Sequence, residues 1–343
     1  MKAIYHTKSQ KETIGLGERL GRFLKGGDNI LLFGELGSGK THFVKGIAKG
    51  LGVDKIIKSP TFAYVNRYPV TAGTLYHYDL YRLSVGDDVS SLGLFETLED
   101  PKAINVIEWA DRIADLPEQH IRVDFEAGES EHAIAIEFFD PETAPESVVE
   151  KFYKHWSTPL HVREHCEMVA KMAMEVADKL IGRGEIVNLN LLYPAAMLHD
   201  LCRLCDFYEL ERGHFKEKVT EAKWKKWNGQ WNKFRGQAHD DIASDFLIKQ
   251  GYPKTAEVVR LHKSNLIVEE ARGYDSWEKK ILFYADKRVL HNRVVSLAER
   301  FEDGRERHGK FNDEKTKRLF QEVEKRTFEL EKELGYRFCV IPA

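Results

Sequence analysis

Two sets of residues in this chain have the types and spacing to do chemistry. The first is Gly34-Glu35-Leu36-Gly37-Ser38-Gly39-Lys40-Thr41, which matches G-x-x-x-x-G-K-[ST] at every position. Glycines in such a loop let backbone N–H groups turn inward around phosphate oxygens at a helix N-terminus. Lys40 then reaches the β/γ-phosphates and the Thr41 hydroxyl ligates Mg²⁺. The second set lies far downstream and is built of imidazoles and carboxylates: His165, His199-Asp200, His239, His262 and Asp286. A single histidine on an apolar face is an ordinary core residue. Six such groups in the order H…HD…H…H…D point instead to metal ligation, and imidazole with carboxylate suits Fe, Mn, Co, Ni or Zn. Two metals about 3.5–4 Å apart, bridged by Asp200, would generate hydroxide and clamp a phosphoryl group.

The elements around each set are those the chemistry needs. The apolar run Asn29–Phe33 enters the glycine-rich loop, and HFVKGIAKGLG leaves it with Phe43, Val44, Ile47, Ala48 and Leu51 at helical spacing. Ahead of it, residues 8–25 predict an amphipathic helix capped by Ser9 or Thr13, with Ile14, Leu16, Leu20, Phe23 and Leu24 on the buried side. After it, AYVNRYPV and TLYHYDLYRL predict a hairpin through the turn-rich TAG. The strand Ala103–Ile107 ends in Glu108-Trp109, where an acid would ligate nucleotide-bound Mg²⁺ or orient water. Asp79 has two readings, a functional acid or a surface strand charge.

Residues 121–139 alternate as two further strands, and the proline-containing, acidic stretch 140–150 reads as a linker. We place a boundary near 148, with an α/β P-loop NTPase domain over 1–148 and an all-α domain over 149–343. From Ser157 onward the pattern is helical throughout, including one segment from Trp277 to Leu297 and a charged amphipathic tail helix from Asn312 to Leu334.

Composition sets the outer bounds. The 343 residues are 42% hydrophobic and 31% charged, the profile of a globular protein long enough for two cores. A formal net charge of −3 gives no chain-wide reason to expect polyanion binding. Cys166, Cys202, Cys205 and Cys339 are too few for a disulfide framework, and the lone C-x-x-C has no second pair with which to build a zinc site. The N-terminus lacks the apolar core of a signal peptide and no run of 18 apolar residues occurs, so the expected location is cytoplasmic.

Four motifs in order, GELGSGKT, SPTF, YHYDLYR and VIEWADRIADLP, make the first ~140 residues resemble the TsaE family. These are bacterial P-loop ATPases of tRNA threonylcarbamoyladenosine modification, which acts beside the anticodon. The resemblance implies a mixed sheet flanked by helices, ATP and Mg²⁺ as ligands, and slow ATP hydrolysis in the service of TsaB and TsaD, of which TsaD carries the transfer chemistry. It implies further that Lys40 and Thr41 bind phosphate and Mg²⁺, that Thr61 lies in a nucleotide-sensing switch, that Asp79 is a functional acid, and that Glu108 is a magnesium ligand beside Trp109. tRNA is then involved indirectly.

Across 155–300 the pattern resembles the HD-domain superfamily of metal-dependent phosphohydrolases. His165, His199, Asp200 and Asp286 map onto H…HD…D, and His239 with His262 matches the two-metal variant, often containing iron. His161 lies one turn before His165 and competes for the first place; we favour His165, because Val169 follows it as the family helix usually runs. Lys263 and Lys287 neighbour these ligands and are either substrate-phosphate contacts or solvated charges. Trp224, Trp227 and Trp231 recur among Lys216, Lys218, Lys223, Lys225, Lys226, Lys233 and Arg235, as a base-stacking lid or as a helix packing its tryptophans inward. The expected activity is an ATPase of the tRNA modification system joined to a hydrolase of a nucleotide or phosphoester. Two alternatives stand beside it: the second half as a nucleotide-sensing module without turnover, and the first half as a small-molecule P-loop kinase.

Overall fold

The structure, a computed structural model, describes residues 1–84, 87–215, 217–307 and 314–335. Cys339, Lys216 and the first two residues of the expected tail helix lie outside them. The chain forms two compact units. One comprises Met1–Pro141 together with Leu180–Asn188, and the other Glu142–Lys179 with the described residues from Leu189 onward.

The first unit is a seven-stranded mixed sheet. In chain order its elements are β1 (Ala3–Thr7), α1 (Gln10–Gly21), β2 (Asn29–Phe33), α2 (Lys40–Gly50), β3 (Val65–Val70), β4 (Gly73–Asp79), α3 (Leu94–Glu99), β5 (Ala103–Glu108), β6 (His120–Ala127) and β7 (His132–Phe139). The strand order is β1-β7-β6-β2-β5-β4-β3. Strands β6, β2, β5 and β4 run parallel, while β3, β7 and β1 pair antiparallel at the flanks. The centre reads as its burial demands: all six residues of β5 are buried, as are Ile30, Leu31 and Leu32 of β2. A strand covered on both faces needs such an uninterrupted apolar run.

Helix α1 starts at Ser9, whose hydroxyl accepts from the Glu12 N–H at 3.2 Å. Leu16, Leu20 and Leu24 are buried, but Phe23 is half exposed, because the helix ends at Gly21 and the chain turns before Phe23 can follow the apolar face. Helices α1 and α2 approach backbone to backbone. A Cβ on Gly46 would lie 2.1 Å from the Ile14 carbonyl oxygen, and one on Gly17 would lie 2.2 Å from that of Phe43. Only glycine permits this spacing.

The second unit is helical: α4 (Val149–Trp156), α5 (Leu160–Ile181, its last two residues counting with the sheet unit), α6 (Leu189–Leu198), α7 (Glu221–Phe234), α8 (His239–Lys249), α9 (Pro253–Arg260), α10 (Leu266–Glu269), α11 (Trp277–Arg288), α12 (Leu297–Arg307) and α13 (Glu314–Leu334). Its axis is α11, where Ile281 through Ala285 are fully buried. Arg288 is fully buried as well, donating from Nε to the Val295 carbonyl at 2.6 Å and from Nη1 to the Tyr284 hydroxyl at 2.5 Å.

Two expectations change here. The stretch 140–150 is not a solvated linker, since Ala144 is fully buried and its N–H donates to Thr255 Oγ1 at 2.8 Å. The helix expected to run to Leu297 stops at Arg288, where Val289–Leu290 and Arg293–Val294 form a short antiparallel hairpin, β8 and β9. The turn holds His291 at φ +58°. Among the described residues no helix is long and apolar enough to cross a membrane.

Two candidate centres, a phosphate loop and a His/Asp cluster

Strand β2 delivers the glycine-rich loop and α2 begins at Lys40. Gly37 and Gly39 hold φ of +82° and +103°, which side-chain-bearing residues rarely adopt. The Lys40 Nζ donates to the carbonyls of Gly34 (2.6 Å) and Glu35 (2.8 Å) and stands 4.0 Å from the centre of the Trp109 ring. Burial lowers the Lys40 ammonium below its ordinary value, opposed by the charges of Glu108, Asp79 and Asp111.

Parallel pairing of β4 with β5 sets Asp79 opposite Glu108, so two carboxylates leave adjacent strand ends beside the loop. Glu108 is buried and takes two bonds, from the Thr41 hydroxyl to Oε2 at 2.9 Å and between Oε1 and His77 Nε2 at 2.8 Å. Asp79 is buried rather than a surface charge. Its Oδ2 accepts from the hydroxyls of Ser59 and Thr61, the latter at 2.6 Å, and Oδ1 from the Tyr81 N–H at 3.1 Å. Trp109 reaches Lys40 from a left-handed backbone, φ +62°. The residues singled out from the sequence, Lys40, Thr41, Thr61, Asp79, Glu108 and Trp109, lie around one loop. Ser59 and His77 belong with them.

In the helical unit, the six residues singled out converge. His165 comes from α5, His199 and Asp200 from the turn after α6, His239 from the first residue of α8, His262 from the turn after α9, and Asp286 from α11. Three imidazoles have Nδ1 on a main-chain carbonyl: His165 on His291 (2.7 Å), His199 on Ala196 (2.7 Å), and His262 on Val259 (2.5 Å). A carbonyl only accepts, so each Nδ1 carries a proton and each Nε2 is the nitrogen turned inward, a ligand position when the ring is neutral.

Those Nε2 atoms meet around Asp200. Its Oδ2 lies 3.9 Å from Nε2 of both His165 and His199, and its Oδ1 lies 2.8 Å from His239 Nε2 and 3.6 Å from His262 Nε2. Asp286 Oδ1 lies 3.3 Å from His165 Nε2 and 3.7 Å from His199 Nε2. The donors fall into overlapping trios, His165/His199/Asp286, His199/Asp200/His262 and His239/Asp240/His262, each within 4.8 Å. The His199 Nε2 is buried with no hydrogen-bond partner. One carboxylate thus offers a separate oxygen to each side of the cluster, and the buried Nε2 of His199 lies among them. That donor set fits a pair of metal ions.

Charge within the cluster is arranged to keep the carboxylates ionised. Burial opposes ionisation of Asp200, yet Arg203, His199 and His239 hold it well below the usual carboxylate range. Against the same penalty, Lys287, His165 and His199 hold Asp286 well below it. Burial lowers His262, whereas His239, opposed by burial, is raised to about 9 by Asp200 and Asp206.

The structure separates the open alternatives. His161 stacks on Phe207 and lies tilted against Phe215, at 6.1 and 5.8 Å, and enters none of the trios, whereas His165 belongs to one. Lys287 is buried with Nζ 2.6 Å from Asp286 Oδ2, while Lys263 pairs with Asp241 at 3.0 Å. Trp227 is fully buried and donates to the Ser157 carbonyl at 2.6 Å, and Trp231 donates to that of Phe207 at 2.8 Å. These tryptophans pack the helix. Cys202 and Cys205 are buried and enter none of the trios. Asp206, Asp240 and Arg203 went unnoticed in the sequence. Asp206 accepts from the His239 N–H at 3.1 Å and also bonds its Nδ1, while Arg203 Nη1 lies 3.2 Å from that nitrogen.

Residues 7–134 match the family model described as "Threonylcarbamoyl adenosine biosynthesis protein TsaE". Among relatives bearing the name tRNA threonylcarbamoyladenosine biosynthesis protein TsaE, that of Bacillus subtilis is 36% identical over 132 residues, 38% of this chain and 82% of the relative. That of Nostoc sp. is 43% identical over 117 residues, 33% of this chain and 72% of the relative. A crystal structure of Bacillus subtilis YdiB aligns over 40% of this chain and 84% of its own, at 31% identity and a TM-score of 0.34.

Proposed function

The chain belongs to the TsaE family through its first half, and from that premise we propose a two-centred enzyme. The first half is a P-loop ATPase-type component of tRNA threonylcarbamoyladenosine synthesis. In our reading it binds Mg²⁺–ATP through Gly34–Thr41 and works with TsaB and TsaD homologues. Glu108 and Thr41 share the magnesium, and Asp79 with Ser59 and Thr61 forms the nucleotide-sensing switch. His77 fixes the rotamer of Glu108, and Trp109 covers Lys40. Such sites act mainly by positioning and charge neutralisation, so misplacing Glu108 costs rate more than affinity.

The second half, in our reading, is an HD-type phosphohydrolase with two transition metals, acting on a nucleotide or another phosphoester. His165, His199 and Asp286 would hold one ion, His239 and His262 the other, and Asp200 would bridge. When bound, such a pair supplies a hydroxide nucleophile and Lewis-acid stabilisation of the phosphoryl group. This chain's part is to hold three imidazoles by main-chain carbonyls with Nε2 inward, and to keep Asp200 and Asp286 ionised. Lys287 neutralises Asp286, and Arg203 orients the His239–Asp206 pair.

The observation that carries this second reading is the splitting of Asp200's two oxygens between two groups of inward-facing imidazoles. Its test is the metal content of the full-length chain purified anaerobically, with Asp200→Ala assayed against a panel of nucleotides and phosphomonoesters. About two metals per chain, and phosphoester turnover lost in the variant, is the expected outcome. Metal-free protein would overturn the dinuclear centre; metal without turnover would leave a binding module.

A further inference from the structure

The helical unit holds a cavity of about 450 Å³ that belongs to neither centre. It opens between the end of α4, the second half of α7 and α8. Its apolar wall is aromatic: the rings of Phe234 and Phe246 stand 5.5 and 5.6 Å from that of Trp156, and His155 stacks on Phe246 at 5.2 Å. Flat surfaces of this kind take planar rings.

Two buried polar atoms beside these rings lack partners. Trp156 is more than nine-tenths buried, yet its Nε1–H makes no hydrogen bond, and the Oε1 of Gln230 is buried and unpaired as well. Buried polar atoms are almost always paired, so two unpaired ones in residues that line one cavity set this stretch apart from ordinary core. Lys226, Lys233 and Lys249 line the same cavity against a single carboxylate, Asp245. The chain as a whole has a formal charge of −3, which makes this local excess of cations conspicuous. Lys226 gives one hydrogen to the Lys154 carbonyl at 3.1 Å and keeps two.

We propose that this cavity is a second nucleotide site, binding a nucleoside phosphate. The base lies against Trp156, Phe234 and Phe246, while the three lysines hold the phosphate. The volume falls within the roughly 300–1,000 Å³ of small-molecule sites. Helix α8 links the cavity to the His/Asp cluster, since it begins at His239 and carries Asp245, Phe246 and Lys249 farther along. The site depends on no metal and on no reading of the cluster.

The test uses the full-length chain carrying Lys40→Ala, with EDTA present, so that neither other centre contributes metal-dependent nucleotide binding. AMP is titrated and followed by equilibrium dialysis and by tryptophan fluorescence. Saturable binding is expected, weakened at least tenfold by Lys233→Glu with Lys249→Glu and unchanged by Lys45→Glu, a charge reversal outside the cavity. Both reversed lysines are exposed, so the fold is not at stake. No saturable binding of AMP, or binding that the double reversal leaves intact, overturns the proposal. Metal content unaffected by the reversal would leave the dinuclear reading standing on its own.

Discussion

Thr41 and Glu108, 67 residues apart in the chain, meet at 2.9 Å, hydroxyl to carboxylate. The first residues of α2 and the last residue of β5 are thereby joined at the point where a nucleotide's Mg²⁺ is expected. The other oxygen of Glu108 is tied to His77, so the carboxylate is aimed before any ligand arrives. Preorganisation of this sort removes a reorientation cost from the reaction itself.

Replacing Glu108 with Gln keeps its shape and removes its charge. ATP hydrolysis should fall by about 10²-fold or more, the scale of losing one preorganised electrostatic group. Affinity for ATP measured without Mg²⁺ should stay within about twofold, because Lys40 and the loop amides are untouched. His77→Ala should lower hydrolysis less than Glu108→Gln. Single-turnover ATPase assays with parallel nucleotide titrations check all three.

The glycine contact between α1 and α2 predicts a stability effect with no chemistry in it. In Gly46→Ala the new methyl would meet the Ile14 carbonyl oxygen, a backbone atom that cannot swing aside. The helices must part, and overpacking of this kind costs about 1–3 kcal/mol and occasionally more. Urea unfolding of the sheet unit should shift to lower denaturant, while Gly15→Ala, with open space around its Cβ position, should leave it unchanged or slightly stabilised.

Metal stoichiometry should separate the two sides of the His/Asp cluster. His239→Ala removes a donor that serves only one side, so the chain should retain about one ion. Asp200→Ala removes the shared carboxylate and should release both. Elemental analysis of the anaerobically purified variants is the check, with far-ultraviolet circular dichroism confirming that each remains helical.

Trp227 should behave as core. Its ring is fully buried among Leu204 and Phe215, and Trp227→Ala should cost roughly 3–5 kcal/mol, the range for deleting a large buried aromatic. A lid residue would instead change ligand affinity at constant stability. Thermal unfolding alongside AMP titration distinguishes the two.

What could be read from the chain beforehand follows from how local each signal is. The phosphate loop was legible because one contiguous stretch carries strand, turn and helix. Asp79 and Glu108 could be suspected singly, but their neighbouring positions depend on β4 pairing parallel to β5, a long-range fact that no local pattern encodes. All six histidines and aspartates of the cluster were recognisable by type and order. Their orientation was not, because it rests on main-chain carbonyls, and carbonyls have no sequence signature. The clearest example is His291: its carbonyl holds His165, yet it sits in a hairpin turn hidden inside what reads as one continuous helix. Asp206 was missed for a similar reason, since a lone acid in a loop gives no sign of the imidazole it supports. Phe23 misled in the opposite direction: periodicity continued past the point where Gly21 ends the helix.

The segment Leu180–Asn188 counts with the sheet unit although nearly forty residues of the helical unit precede it. The two units therefore alternate along the chain, and no single scission frees one from the other. A protease that nicks the chain near residue 141 leaves the sheet unit still holding a strip of the downstream fragment. Gene truncations at the apparent boundary should thus yield poorly behaved halves, and assays of either centre are best made on the uncut chain.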